Sequence, residues 1–214
     1  MCLVMIAVID YNMGNIQSVL NALTLLGEKP VVTREKKIIG ESRAIILPGV
    51  GAFGDGMKNL QKLNLITTLD SEIIQKQKPF LGICLGMQLL ATGSTEHGSH
   101  NGLGWIPSQV ELLSPPNNEF KVPHMGWNNI KISNNNNLFK DIEDDPVYYF
   151  VHSYHLRPDR KYRDFVSSTA YHGEDIVASI EYKNIFATQF HPEKSQGAGL
   201  KLLENFINIS NSHA

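Results

Sequence analysis

The chain has 214 residues, enough for one well-buried domain, and a formal net charge of −2. That balance gives no electrostatic case for nucleic acid. Two cysteines, Cys2 and Cys84, leave no basis for a disulfide framework and fit a reducing, cytoplasmic compartment.

The opening run Leu3-Val4-Met5-Ile6-Ala7-Val8-Ile9 is too short to span a membrane. It lacks a basic leader and a small-residue cleavage site, so it predicts a buried first strand. Asn15 to Leu26 places Ile16, Val19, Leu20, Leu23 and Leu26 at helical spacing, with Gly27 as the stop. Short strands are expected at Pro30 to Thr33 and Arg43 to Leu47, and helices at Met57 to Leu63 and Leu65 to Gln77. Pro79 to Ile83 reads as a strand and Met87 to Thr92 as a helix. This alternation implies a mostly parallel sheet with helices on both faces. After Gly104 the pattern changes to strands at Val110 to Leu113, Val147 to Val151, Phe165 to Ala170, Ile176 to Ile180 and Ile185 to Gln189. They predict an antiparallel extension of the same sheet, closed by a helix over Leu200 to Ile209. Ser133 to Asn137 reads as a solvated loop. The fold class is α/β, one domain with no linker.

The most informative stretch is Phe80-Leu81-Gly82-Ile83-Cys84-Leu85-Gly86-Met87-Gln88. An apolar run ends on a cysteine framed by two glycines, the pattern of a nucleophile elbow. The glycines let strand and helix crowd together, and a core strand gains nothing from them. Cys84 is expected exposed at the helix N-terminus, where free N–H groups favour a thiolate. The alternative is a cysteine that is merely a small buried hydrophobe.

A thiolate needs a base. His191 stands in Gln189-Phe190-His191-Pro192-Glu193-Lys194-Ser195, at the end of a predicted strand. An extended backbone imposed by Pro192 turns Glu193 to the same side, where its carboxylate fixes the imidazole tautomer. A surface histidine beside a salt-bridging glutamate is the plainer reading. The glycine-rich Leu47-Pro48-Gly49-Val50-Gly51-Ala52-Phe53 follows a strand. Its N–H groups suit an oxyanion. It lacks the lysine of a P-loop, so a flexible loop or a phosphate cradle are the other readings. His152-x-x-His155, with His124 and His172, offers two ligands at most, so no metal is assigned.

Six motifs in order give these residues a family resemblance. They are Asp10-Tyr11-Asn12-Met13-Gly14-Asn15, Pro48 to Gly51, Gly82 to Gln88, Pro123-His124-Met125-Gly126-Trp127-Asn128, Tyr149 to Tyr154, and Gln189 to Ser195. Together they resemble the class I (triad) glutamine amidotransferases, and within them the glutaminase subunits of imidazole glycerol phosphate synthases. The resemblance implies a flavodoxin-like α/β domain over 1–214, no cofactor, and hydrolysis of glutamine to glutamate and ammonia. It assigns Cys84, His191 and Glu193 as the triad, and Gly49, Val50, Gly51 and Leu85 as the oxyanion site. Gln88, Glu96, Ser153 and Tyr154 would bind glutamine, with Glu96 on its ammonium. Asn12, Asn15, Trp127, Tyr149 and Lys194 would meet a (β/α)8-barrel cyclase in a heterodimer. From the residues alone, Asn12 and Asn15 are also candidate helix caps and Trp127 a candidate core plug.

Two segments pull elsewhere. Ala91 to Thr95 lacks the acidic, aromatic character expected after the elbow in histidine-pathway members. Gly102-Leu103-Gly104-Trp105-Ile106 resembles paralogues that feed ammonia to a sugar-amidating partner in surface polysaccharide synthesis. A non-catalytic binding subunit on the same fold is a further alternative, opposed by the intact Cys84, His191 and Glu193.

Overall fold

The computed structural model describes residues 5–117, 119–133, 137–159 and 164–212. The chain begins with β1 (Ile6–Ile9), α1 (Ile16–Leu25), β2 (Val31–Thr33), α2 (Lys36–Glu41), β3 (Ala44–Gly49) and α3 (Phe53–Lys62). Then come α4 (Ile66–Leu69), a π-helical stretch Asp70–Gln75, β4 (Phe80–Cys84) and the short α5 (Leu85–Gln88). Strands follow: β5 (Ala91–Ser94), β6 (His100–Asn101), β7 (Ile106–Leu112), β8 (His124–Ile132), β9 (Val147–His152), β10 (Tyr154–Pro158), β11 (Val166–Tyr171), β12 (Asp175–Tyr182) and β13 (Ile185–Thr188). The 17-residue α6 (Gln196–Ser212) closes the fold.

One nine-stranded sheet runs β2-β1-β3-β4-β13-β12-β11-β8-β9. From β2 to β13 every pairing is parallel, and from β13 to β9 every pairing is antiparallel. The parallel block is covered on both faces, so its strands are apolar at successive positions. On β1, Ala7 and Ile9 pack on one side with Ile39, Phe53, Leu60 and Leu69. Ile6 and Val8 face the other side with Val19, Leu23, Leu202 and Phe206. The two residue sets alternate because successive strand side chains point to opposite faces.

The structure corrects several expectations. Beyond β4 the helix stops at Gln88, and Ala91–Ser94 is a strand rather than the end of a helix from Met87 to Thr92. β5 joins β6, β7 and β10 in a separate four-stranded sheet, so the later strands do not all extend one sheet. α2, β6, β8 and β10 have no counterpart in the periodicity. β8 alternates buried and exposed residues only loosely, and its Gly126 and Asn128 lower the strand signal. Leu3 and Val4 of the predicted first strand, Asn134 to Asn136 of the predicted loop, and Cys2 lie outside the described residues.

Among the described residues, no helix is long and apolar enough to cross a membrane. The carboxyl ends of β1, β3, β4 and β13 lie side by side in the parallel block. In open α/β sheets that edge is where ligands bind.

Candidate active site

Cys84 is the last residue of β4 and directly precedes α5. Its φ of +54° with ψ of −107° is a conformation that non-glycine residues rarely adopt, and such strain gathers at functional positions. The flanking glycines have steric reasons. A Cβ on Gly82 would lie 2.8 Å from the Gly86 carbonyl oxygen, and one on Gly86 would lie 1.8 Å from the Leu47 carbonyl oxygen. Cys84 is 6% exposed, not the open thiol expected, because β3, α5 and Gln189 enclose it.

β13 pairs with β4 and delivers Gln189, Phe190 and His191 beside the cysteine. The His191 N–H donates to the Tyr149 carbonyl at 2.9 Å, and Ser195 Oγ donates to the His191 carbonyl at 2.6 Å. Pro192–Lys194 is a 3-10 turn, so the extended route expected for Glu193 is corrected. The turn still brings Glu193 Oε1 to 2.7 Å from His191 Nδ1, with both side chains 3% exposed. Among the described residues, His191 Nε2 is buried with no oxygen or nitrogen partner. Burial opposes charge on this ring. The hydrogen bond and charge of Cys84, followed by those of Glu193, overcome that and push its pKa up to about 10. Both partners therefore favour the protonated ring, which Glu193 orients on the side of the sulfur.

The expected substrate groups converge. A cavity of about 410 Å³ is lined by Val50, Gly51, Cys84, Leu85, Gln88, Glu96, Ser153 and Tyr154, with Pro123, Val151 and His152 completing the wall. Gly49 lies beneath, paired with Cys84 across β3 and β4. Gly51 has φ of +110°, which favours glycine. The Gln88 side-chain amide donates to the Tyr154 carbonyl at 2.8 Å and to Gln189 Oε1 at 3.1 Å. Gln189 in turn donates to the Cys84 sulfur at 3.8 Å. Gln189 opens the motif that carries His191, but no charge or periodic signal gives it a role of its own in the site. Tyr11 is also hidden in the sequence. It is fully buried, its hydroxyl has no hydrogen-bond partner among the described residues, and burial, with the Cys84 charge, pushes its phenol pKa up.

His152 in the cavity wall is a different kind of histidine. Burial and neighbouring His124 hold its pKa well below the ordinary value, against the pull of the Tyr154 carbonyl. Because a carbonyl only accepts, His152 Nδ1 carries the proton at 2.9 Å from Tyr154 O. Its Nε2 then accepts from His124 Nδ1 at 3.0 Å, and His124 Nε2 accepts from Asn128 at 3.1 Å. These lone pairs are committed to a neutral chain, and among the described residues no group of three or more His, Cys, Asp or Glu could hold a metal.

Trp127 is 49% exposed on β8, so it is not a core plug. It meets the Tyr149 ring edge-on at 5.9 Å, and Lys194 Nζ lies 5.8 Å from that ring. Met125, 63% exposed, extends the patch. Asn15 precedes α1 without a side-chain capping bond, so the structure does not use it as the expected cap. Asn12, at φ +63°, sits on the same β1-to-α1 loop as Met13, which packs under Gly51.

The geometry agrees with comparison to known proteins. The family model for class-I glutamine amidotransferases matches residues 7–209. The imidazole glycerol phosphate synthase subunit HisH of Aquifex aeolicus is 47% identical over 200 residues, covering 93% of this chain and 94% of that protein. The HisH subunit of Geobacter metallireducens is 45% identical over 205 residues, covering 94% and 96%. In fold, a glutamine amidotransferase from Thermotoga maritima superposes with a TM-score of 0.66 at 18% identity, covering 99% of each chain. PurLQS from the same organism gives 0.70 at 19% identity, covering 97% of this chain and 99% of that one. With the family model matching almost from end to end, this chain belongs to the class-I glutamine amidotransferases.

Proposed function

We propose that the chain is the glutaminase subunit of an imidazole glycerol phosphate synthase in histidine biosynthesis, one amidotransferase domain over 1–214 with Cys84, His191 and Glu193 as its machinery. It hydrolyses glutamine to glutamate and ammonia. The Cys84 thiolate attacks the side-chain amide carbon, and the carbonyl electrons move onto oxygen. Backbone N–H groups of the Gly49-Val50-Gly51 loop and of Leu85 receive that oxyanion. The intermediate collapses, the C–N bond breaks, and His191 Nε2 gives its proton to the departing amine, which leaves as ammonia. His191, now neutral, takes a proton from water as the water attacks the thioester. Glutamate leaves and the thiolate–imidazolium pair is restored. Glu193 holds the ring in place through both half-reactions. Gln88, Glu96, Ser153 and Tyr154 hold the substrate.

The observation that carries this reading is His191, with one nitrogen on Glu193 at 2.7 Å and the other left to Cys84. We assign the partner as a barrel cyclase in a cytoplasmic heterodimer, docking over Trp127, Tyr149 and Lys194 with Asn12 and Asn15. The exposed Met125 and Trp127 support that surface. The Gly102-Leu103-Gly104-Trp105-Ile106 run gives little weight to a sugar-amidating partner, because packing accounts for it. Trp105 Nε1 donates to Asp70 at 2.7 Å, and a Cβ on Gly102 would lie 2.1 Å from the Ala91 carbonyl oxygen.

The test is glutamine-dependent synthesis of imidazole glycerol phosphate with a histidine-operon cyclase, together with labelling by a diazo-ketone glutamine analogue. Activity and modification at Cys84 are expected. Binding only to a sugar-modifying partner, or labelling at Cys2 with Cys84 untouched, would overturn the reading.

A further inference from the structure

We propose that Glu96 is a positioning residue for the oxyanion loop as well as a substrate contact: one carboxylate oxygen anchors the loop and the other receives the ammonium of glutamine. The inference rests on the glutaminase reading above. The loop from Gly49 to Ala52 has two ends. The first is fixed by pairing of Gly49 with Cys84. The second is Phe53, fully buried, which begins α3. The residue before α3 is Ala52, which has no side-chain acceptor and makes no capping bond. The missing acceptor comes from 43 residues away. The Phe53 N–H donates to Glu96 Oε2 at 2.7 Å.

That bond is charge-assisted and sits at the positive end of a ten-residue helix, so two effects strengthen it. Glu96 is held in turn: its N–H donates at 3.1 Å to Oγ of Ser94, which is buried on β5. β5 is clamped between β6 and β7. The second sheet therefore reaches the oxyanion loop through one carboxylate. Glu96 also lines the cavity that contains Cys84 and Gln88. The amide takes Oε2 and leaves Oε1 for a cation there. Val50 and Gly51 lie within three residues of the anchored Phe53, so slack at that end moves the N–H groups that meet the oxyanion. A misplacement of about 1 Å costs on the order of a hundredfold in rate.

The two roles separate by substitution. Glu96→Gln keeps an oxygen for the Phe53 amide and loses the charge. Glu96→Ala loses both. The experiment uses the complex with its partner and two substrates, glutamine and 4-carbamoylbutanoate, the same amide without the α-ammonium. For Glu96→Gln with glutamine, KM is expected to rise about 10- to 100-fold, as for a lost charged contact, with kcat falling less than in Glu96→Ala. For Glu96→Ala, kcat is expected to fall a further 10- to 100-fold, below the bound of about 10²- to 10³-fold set by one lost oxyanion donor. With 4-carbamoylbutanoate, the Glu96→Gln and wild-type KM values should coincide, while Glu96→Ala still loses kcat. Hydrogen exchange at the Phe53 amide, measured without substrate, should quicken most in Glu96→Ala and less in Glu96→Gln, which keeps an acceptor but loses the charge. Equal kcat for the two variants, or unchanged Phe53 exchange in Glu96→Ala, overturns the proposal. A wild-type complex with no glutaminase activity would sink the functional reading instead, and Phe53 exchange would still decide the anchor.

Discussion

Replacing Gly86 with alanine tests the elbow most directly. The new Cβ would stand 1.8 Å from the Leu47 carbonyl oxygen and 3.0 Å from the Leu47 carbonyl carbon. Both are backbone atoms of β3, the strand that leads into the proposed oxyanion loop. Opening the closer contact from 1.8 Å to even 3.0 Å requires a separation of about 1.2 Å between α5 and β3. Gly86 lies two residues after Cys84, so the sulfur and the Leu85 N–H move with it. A displacement of that size predicts a fall of about a hundredfold in kcat/KM. The strain should cost about 1–3 kcal/mol, a drop in Tm of roughly 2–12 °C for a chain of this length. Glutamine turnover with the partner bound, Cys84 labelling and thermal unfolding read these effects. Gly197→Ala is the control. It sits in α6 with nothing within 4 Å of a new Cβ, and should gain about 0.5–1 kcal/mol. A Gly86→Ala enzyme with wild-type turnover and Tm would refute the crowding account.

Cys84→Ala should abolish glutamine hydrolysis while partner binding survives. It should also lower the His191 pKa from about 10, because the sulfur is the main force raising it, and an NMR titration that finds no change would refute the ion pair. His191→Ala should cut turnover by about two to four orders of magnitude, and His152→Ala much less, because His152 is held neutral. Equal losses in the thioester-forming step would overturn that assignment. Acid should destabilise the fold through His124 and His155. Burial lowers both from 6.5 to about 4, with His172 adding to His124 and Arg157 adding to His155 against Glu174. Between those values the unfolded chain binds more protons, so stability is present above about pH 6.5 and is lost as pH falls towards 4. A flat urea midpoint across that window in wild type would contradict the burial argument.

The parallel block is legible in the sequence because both of its faces are buried and its apolar runs are continuous, as in Ile6 to Ile9 and Phe80 to Ile83. The proposed triad is legible because glycines with no core purpose and a His-Pro-Glu turn are unusual local chemistry. What stays hidden lies where long-range pairing decides. Ala91-Thr92-Gly93-Ser94 has no strand pattern of its own and becomes a strand by pairing with residues around Asn101 and Gln109. Gln189 and Tyr11 touch the nucleophile's surroundings only through the fold. The capping role of Glu96 is invisible for the same reason, since its partner amide is 43 residues away. The burial of Cys84 departs from expectation because the elbow pattern reports a sharp turn, not what packs over it.

The last prediction follows from how Cys84, His191 and Glu193 sit together. His191 is oriented by Glu193 at 2.7 Å, and Cys84 and Glu193 push its pKa up to about 10 against burial. The base is therefore already in place beside the sulfur. If the isolated subunit is nearly idle, the idle element is the oxyanion loop. Gly49 and Gly51 let a peptide there turn its N–H towards or away from the oxyanion, and Val50 between them is 39% exposed at the cavity. A single lost oxyanion donor accounts for about two to three orders of magnitude in turnover. Partner binding and acceptor ligand should therefore raise glutamine hydrolysis by up to that factor. Alkylation of Cys84 by iodoacetamide needs the thiolate but no oxyanion site, so it should run no faster in the complex than in the chain alone. An alkylation rate that rises in step with turnover would place the control on the Cys84–His191 pair and refute the loop. Equal glutaminase rates in the free chain, the complex and the liganded complex would remove the switch altogether and leave the triad standing.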